Sequence, residues 1–104
     1  MTDRELLELA AKAAGIALEN VPMMGAGLLL EKGGVWNPIA DDGDALRLAV
    51  KLGLFIQINS GSATAWKWRG ENWYEQASDN ADDMSATTRR AIVRAAAEIG
   101  RNMK

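Results

Sequence analysis

The chain has 104 residues, 48% of them hydrophobic, which suits one domain over residues 1–104 with a core of its own and leaves little room for a second. It carries no Cys and no His, so thiolate nucleophiles, disulfides, Ser-His-Asp and Cys-His arrangements and the usual zinc ligand sets are excluded together. A net charge of −2 argues against a protein that coats duplex DNA or an anionic membrane, and leaves only a local basic patch for such partners.

Thr2-Asp3-Arg4-Glu5 has the pattern of a capping box and opens onto Leu6, Leu9, Ala10 and Ala13 at helical spacing. A helix is predicted there, stopped at Gly15, with Lys12 near its negative end. Asp3 and Glu5 interrupt the leucines in a way a signal peptide does not, and no apolar run has the length of a membrane span, so the expected location is the cytoplasm. From Ile16 to Met24 the chain has no clear period and reads as a connection lying on the core, with Met23, Met24 and later Met103 as gap-fillers. Gly25-Ala26-Gly27 precedes the apolar run Leu28, Leu29, Leu30, whereas a dinucleotide loop needs its glycines after a strand and before a helix; the phosphate-loop reading fails on that order. Gly33-Gly34 predicts a hairpin turn joining Leu28–Glu31 to Val35-Trp36.

The stretch WNPIADDGDALRLAVKL, from Trp36 to Leu52, gathers an aromatic anchor, a turn and a helix start. Pro38 fixes its own φ and pushes Asn37 out of the α region, so the chain turns there, with Trp36 packing under the helix start or marking a pocket. Asp41 is the natural N-cap, and Asp42 and Asp44 put negative charge in the first turn, where the helix dipole favours it. Leu46, Ala49, Val50 and Gly53, flanked by Leu48 and Leu52, predict the core-facing stripe, with Arg47 and Lys51 outside. Three carboxylates around Gly43 also suggest a divalent-cation loop. Counting twelve from Asp41 or Asp42 reaches Leu52 or Gly53 rather than a Glu, however, so capping is the better reading.

Leu54 to Asn59 is a predicted strand, Ser60-Gly61-Ser62 a turn, and Thr64 to Arg69 a second strand. Gly70-Glu71-Asn72 turns the chain again into Trp73 to Gln76, which completes a meander. Ser78 to Asp83 reads as an acidic loop into a last helix from about Ser85. That helix carries Ala91, Ile92, Ala95, Ala96, Ile99 and Met103 on one face and Arg90, Arg94 and Arg101 on another.

The candidate interaction surface is Trp66, Lys67, Trp68 and Arg69 with Trp73 and Tyr74, because single-stranded nucleic acid is held by bases stacking on aromatic faces while cations follow the phosphates. Strand alternation opposes it: Trp66 and Trp68 share one face and Lys67 and Arg69 the other, so the tryptophans read more simply as a buried face and the charges as a solvated one. Arg89, Arg90, Arg94, Arg101 and Lys104 could likewise meet phosphate, but a solvated helix face paired with acids such as Glu98 is the commoner arrangement.

Three segments, MTDRELLELAAKAAG, WNPIADDGDALRLAVKL and ATTRRAIVRAAAEIGR, together resemble a family of small phage and prophage proteins described by their fold as a phage αβα-sandwich domain. The resemblance covers nearly half the chain. It implies a bacteriophage or prophage origin; the family has no assigned activity, so the resemblance carries over no catalytic residue. Gln57 to Asp82 lies outside it.

The readings combine into one α+β domain, an antiparallel sheet of about four to five strands, chiefly from Leu28–Trp36 and Leu54–Gln76, covered by three helices in two or three layers. With the resemblance, the expected role is a non-enzymatic accessory protein in the bacterial host cytoplasm, a monomer or homodimer with no cofactor and no metal, acting through contact with a phage or host protein. Two alternatives are a single-strand nucleic-acid binder using the Trp66–Tyr74 hairpin and a divalent-metal enzyme at Asp41–Asp44.

Overall fold

A computed structural model of the protein describes residues 2–19, 27–70, 72–80 and 82–103. Readings that fall on Asn20, Pro22, Met23, Met24, Gly25, Ala26, Glu71, Ala81 and Lys104 lie outside those residues. In chain order the elements are α1 (Asp3–Ala14), β1 (Leu28–Leu29), β2 (Val35–Trp36), α2 (Asp42–Leu52), β3 (Phe55–Asn59), β4 (Ser62–Arg69), β5 (Asn72–Asp79) and α3 (Met84–Arg101). The α+β class and the three helices agree with expectation. The single sheet does not: β1 and β2 form a separate two-stranded antiparallel ladder, and β3-β4-β5 form an antiparallel meander. The short hairpin is tied instead to the chain after α1, through the Leu18–Leu30 bridge and the Glu19 N–H donating to the Leu29 carbonyl.

Local chemistry sets the helix ends. Thr2 Oγ1 accepts from the Glu5 N–H and the Glu5 carboxylate accepts from the Thr2 N–H, so two otherwise unpaired donors are satisfied reciprocally. Asp41 does the same work for α2, accepting from the Asp44 N–H at 2.8 Å, and Asp83 does it for α3, accepting from the Ala86 N–H at 3.0 Å. Gly15 and Gly53 end α1 and α2 in the left-handed conformation, at φ 68° and 67°. Gly53 is therefore a cap and not part of the α2 stripe. The stripe itself is Ala45, Leu48, Ala49 and Leu52; Leu46 and Val50, counted into it from the sequence, are 61% and 72% exposed.

The hub of the molecule is α3. Thr87, Ala91, Ile92, Val93, Ala95, Ala96, Ala97, Ile99 and Gly100 are all buried, which is far more than one face. Ile92, Val93, Ala96, Ala97 and Ile99 join Leu6, Leu7, Leu48 and Leu52 in the core between the helices. Ala91 and Ala95 meet Ala63 and Ala65 of β4 on the other side. Small residues at Ala91, Ala95, Ala96, Ala97 and Gly100 keep the helix thin enough to be covered both by helices and by a sheet. The approach to α1 is tight at Gly100, where a Cβ would fall 1.9 Å from the Leu9 carbonyl oxygen. The bulky core residues Leu7, Leu48, Val93 and Ile99 are almost wholly enclosed, each contributing about 1.5–3 kcal/mol of burial, so the main apolar stabilisation lies between helices rather than on the sheet.

Trp36 is 5% exposed and belongs to that core, which settles it as an anchor beneath α2. The turn after it is held by the Asn37 side chain, whose Oδ1 accepts from the Ile39 and Ala40 N–H groups, while Pro38 is fully buried. No helix among the described residues is long and apolar enough to cross a membrane.

Candidate interaction face

The two-residue turn between Asn59 and Ser62 fixes the β3–β4 register, pairing Phe55 with Trp66, Ile56 with Ala65 and Gln57 with Thr64. The β4–β5 register pairs Trp66 with Glu75, Lys67 with Tyr74 and Trp68 with Trp73. Because side chains alternate across a strand, Phe55, Trp66, Trp68 and Trp73 share one face of the meander, and Ile56, Ala63, Ala65, Lys67 and Tyr74 share the other.

The alternation read from the sequence was correct, but the assignment of its two faces is reversed. The alanine face lies against α3, with Ala63 and Ala65 fully buried, and the aromatic face is open: Phe55 is 61%, Trp68 62% and Trp73 42% exposed. Proximity of the helix backbone explains the inversion, since there is no room between β4 and α3 for a ring. On the open face the rings cover one another instead. Phe55 stacks on Trp66 with centroids 5.8 Å apart and planes 13° apart; Trp66 meets Trp73 at 6.5 Å, and Trp73 meets Trp68 at 4.9 Å with planes tilted by 56°. Four rings thus run unbroken across three strands, each within the distance at which aromatic pairs attract.

Charge on this face is negative. Among positions on that side of the strands, Glu75 sits directly opposite Trp66, and Asp79 lies at the end of β5 opposite Ser62, while no Lys or Arg shares the side. Lys67 is turned to the helix side, where its ammonium donates to the Leu52 carbonyl at the C-terminus of α2, a favourable place for a cation. Arg69 pairs with Asn72 on the same side as Lys67, and Tyr74 packs against the core. The structure therefore separates the proposed stacking residues Trp66, Trp68 and Trp73 from Lys67, Arg69 and Tyr74.

The arginines of α3 are engaged within the protein, and mostly not along their own helix. Arg89 donates to the Ile39 carbonyl at 2.7 Å and to Asp42 at 2.5 Å. Arg90 pairs with Asp3 of α1 at 3.2 Å, and Arg94 donates to the Ala77 carbonyl of β5. Arg101 pairs with Glu98 one turn back, at 3.5 Å. Arg90 and Arg94 line a cleft of about 370 Å³ with Ser78 and Thr87, but both are already engaged, by Asp3 and by the Ala77 carbonyl.

The acidic cluster is equally occupied. Asp44 accepts from the Asn37 N–H at 2.9 Å and from Arg47 at 2.7 Å, Asp41 caps the helix, and Asp42 holds Arg89. The three carboxylates are thus occupied by backbone N–H groups and arginines, with Arg47 shared between Asp44 and, at 3.9 Å, Asp41. Among the described residues no group of three or more acidic side chains is arranged to hold a metal ion.

Two members of the open face escaped the sequence reading. Phe55 was counted as an ordinary strand residue and Glu75 was not singled out. The signal that finds both is the register across each turn, which places Phe55 and Glu75 on either side of Trp66. No known protein family, curated protein or solved structure matches the chain.

Proposed function

We propose that the protein is a non-enzymatic accessory protein whose outer sheet face docks a protein partner. The observation that supports this reading is the uncovered row Phe55, Trp66, Trp68 and Trp73, bordered by Glu75 and Asp79 and by no cation on the same side. Large rigid rings supply contact area at low entropic cost, and a contiguous exposed apolar patch on a small domain marks an interaction site. The carboxylates favour a partner surface that is apolar with basic groups at its edge. Kinship with small phage and prophage proteins, and with it a role in the cytoplasm of a bacterial host, is part of the proposal; its support is that the three resembling segments coincide with α1, α2 and α3 and the turn before α2.

Single-stranded nucleic acid is the rival, because stacking platforms are built from such rings. Phosphates would approach Glu75 and Asp79 with no neutralising side chain on that face, which ranks this reading second. A photo-crosslinking residue at Thr64, beside the rings, tests both. The expected result is a protein adduct in host cells that disappears when Trp68→Ala and Trp73→Ala are combined. Tryptophan emission that is quenched by a single-stranded oligonucleotide, with the effect fading as salt rises, would replace the protein reading by the nucleic-acid one.

A further inference from the structure

We infer that two copies of this chain associate through the free edge of β3, pairing antiparallel about Gln57. β3 is the first strand in the order β3-β4-β5, so among the described residues one side of its backbone has no strand partner. α3 packs over β4 and β5 and leaves β3 at the margin. Exposed edges are ordinarily blunted by a charge, a Pro or a bulge. The β3 sequence FIQIN has no charge and no Pro, and its pairing with β4 runs without a bulge from Phe55 to Asn59. β5, the other edge, carries Glu75 and Asp79.

The occupant follows from the symmetry of the strand. Antiparallel pairing of β3 with itself about Gln57 sets Ile56 opposite Ile58 of the second copy, Ile58 opposite Ile56, and Gln57 opposite Gln57. This is a self-complementary register of the kind a two-fold interface requires. No like charges oppose one another in it. On the helix side, beneath this edge, an apolar cleft of about 460 Å³ is lined by Leu46, Ile56, Ile58, Met84 and Ile92. Leu46 is 61% and Ile58 62% exposed in the single chain. The isoleucines of the second copy would enter at the mouth of this cleft and cover both. Two three-stranded sheets then become one of six strands, with the aromatic rings of both copies on the same side. The inference rests on the sheet edge and not on the aromatic face, so either can fail without the other.

Light scattering or sedimentation of the full chain across the micromolar to millimolar range tests it. The expected mass approaches twice 11.2 kDa as concentration rises. Gln57→Lys and Gln57→Glu, each alone, bring like charges together at the two-fold axis and weaken the dimer by roughly tenfold or more, and an equimolar mixture of the two restores it. Ile58→Lys, at an exposed position, also gives a monomer, with far-UV circular dichroism unchanged. Trp68→Ala leaves the dimer intact. A chain that stays monomeric throughout the range overturns the inference. So does a dimer indifferent to both Gln57 variants, or one lost in Trp68→Ala but kept in Gln57→Lys.

Discussion

The two faces of the β3-β4-β5 sheet are made from the same three strands and follow opposite rules. On one, Ala63 and Ala65 meet Ala91 and Ala95 of α3 with no space to spare; on the other, Phe55 and Trp68 stand largely in water, with Trp73 partly exposed and Trp66 half-buried between the other rings. Side-chain size here follows what lies opposite. Where a helix backbone comes close the residues are small, and where nothing covers the sheet the residues are large and shield one another. Hydrophobicity alone ranks the tryptophans as the interior, and packing distance reverses that ranking.

The comparison can be broken most severely where the helix layer is tightest. Gly100→Ala would put a Cβ 1.9 Å from the Leu9 carbonyl oxygen. Forcing α1 and α3 apart is expected to cost about 3 kcal/mol or more, outweighing the ~1 kcal/mol gain in helix propensity, as read from urea denaturation. Next, Ala65→Leu, which adds volume between β4 and α3, should cost about 2 kcal/mol by the same measurement. On the opposite face a larger truncation should cost less: Trp68→Ala removes one ring contact and lowers stability by roughly 1 kcal/mol, while weakening partner crosslinking that the further change Trp73→Ala abolishes. A loss at Trp68 that exceeds the loss at Ala65 would mean that the aromatic face is covered in solution. Smallest of all, Lys67→Met removes the ammonium from the C-terminus of α2 and should cost about 0.5 kcal/mol, seen as a small drop in Tm.

What was legible in the sequence was local. Thr2 with Glu5, Gly15 and Asp41 announce helix ends because capping involves residues three or four apart. The strands of the meander were legible from turns and alternation, although β5 continues to Asp79, past the expected end at Gln76. What failed depended on distant partners. Arg90 finds Asp3 across 87 residues and Arg89 finds Asp42 across 47, spacings that no intrahelical rule contains. The α2 stripe was misplaced because Leu46 and Val50 outweigh Ala45 and Ala49 on any hydrophobic scale, yet it is the alanines that let α2 approach α3. The same substitution of distance for hydrophobicity misassigned the sheet faces. For the candidate face, the sequence singles out Trp66, Trp68 and Trp73 but not Phe55 or Glu75, and joins to them Lys67, Arg69 and Tyr74, which the register turns to the other side.

The backbone contact between Leu9 and Gly100 also orders events in time. α1 carries its own caps, yet α3, the surface it packs on, follows it in the chain after every other described element. Until α3 has been translated, Leu6, Leu7, Ala10 and Ala14 lack most of the helical surface that covers them, since α1 touches α2 far less than α3. Folding of the nascent chain is thus bound to the emergence of α3, and much of the apolar stripe of α1 stays open to chaperones until then.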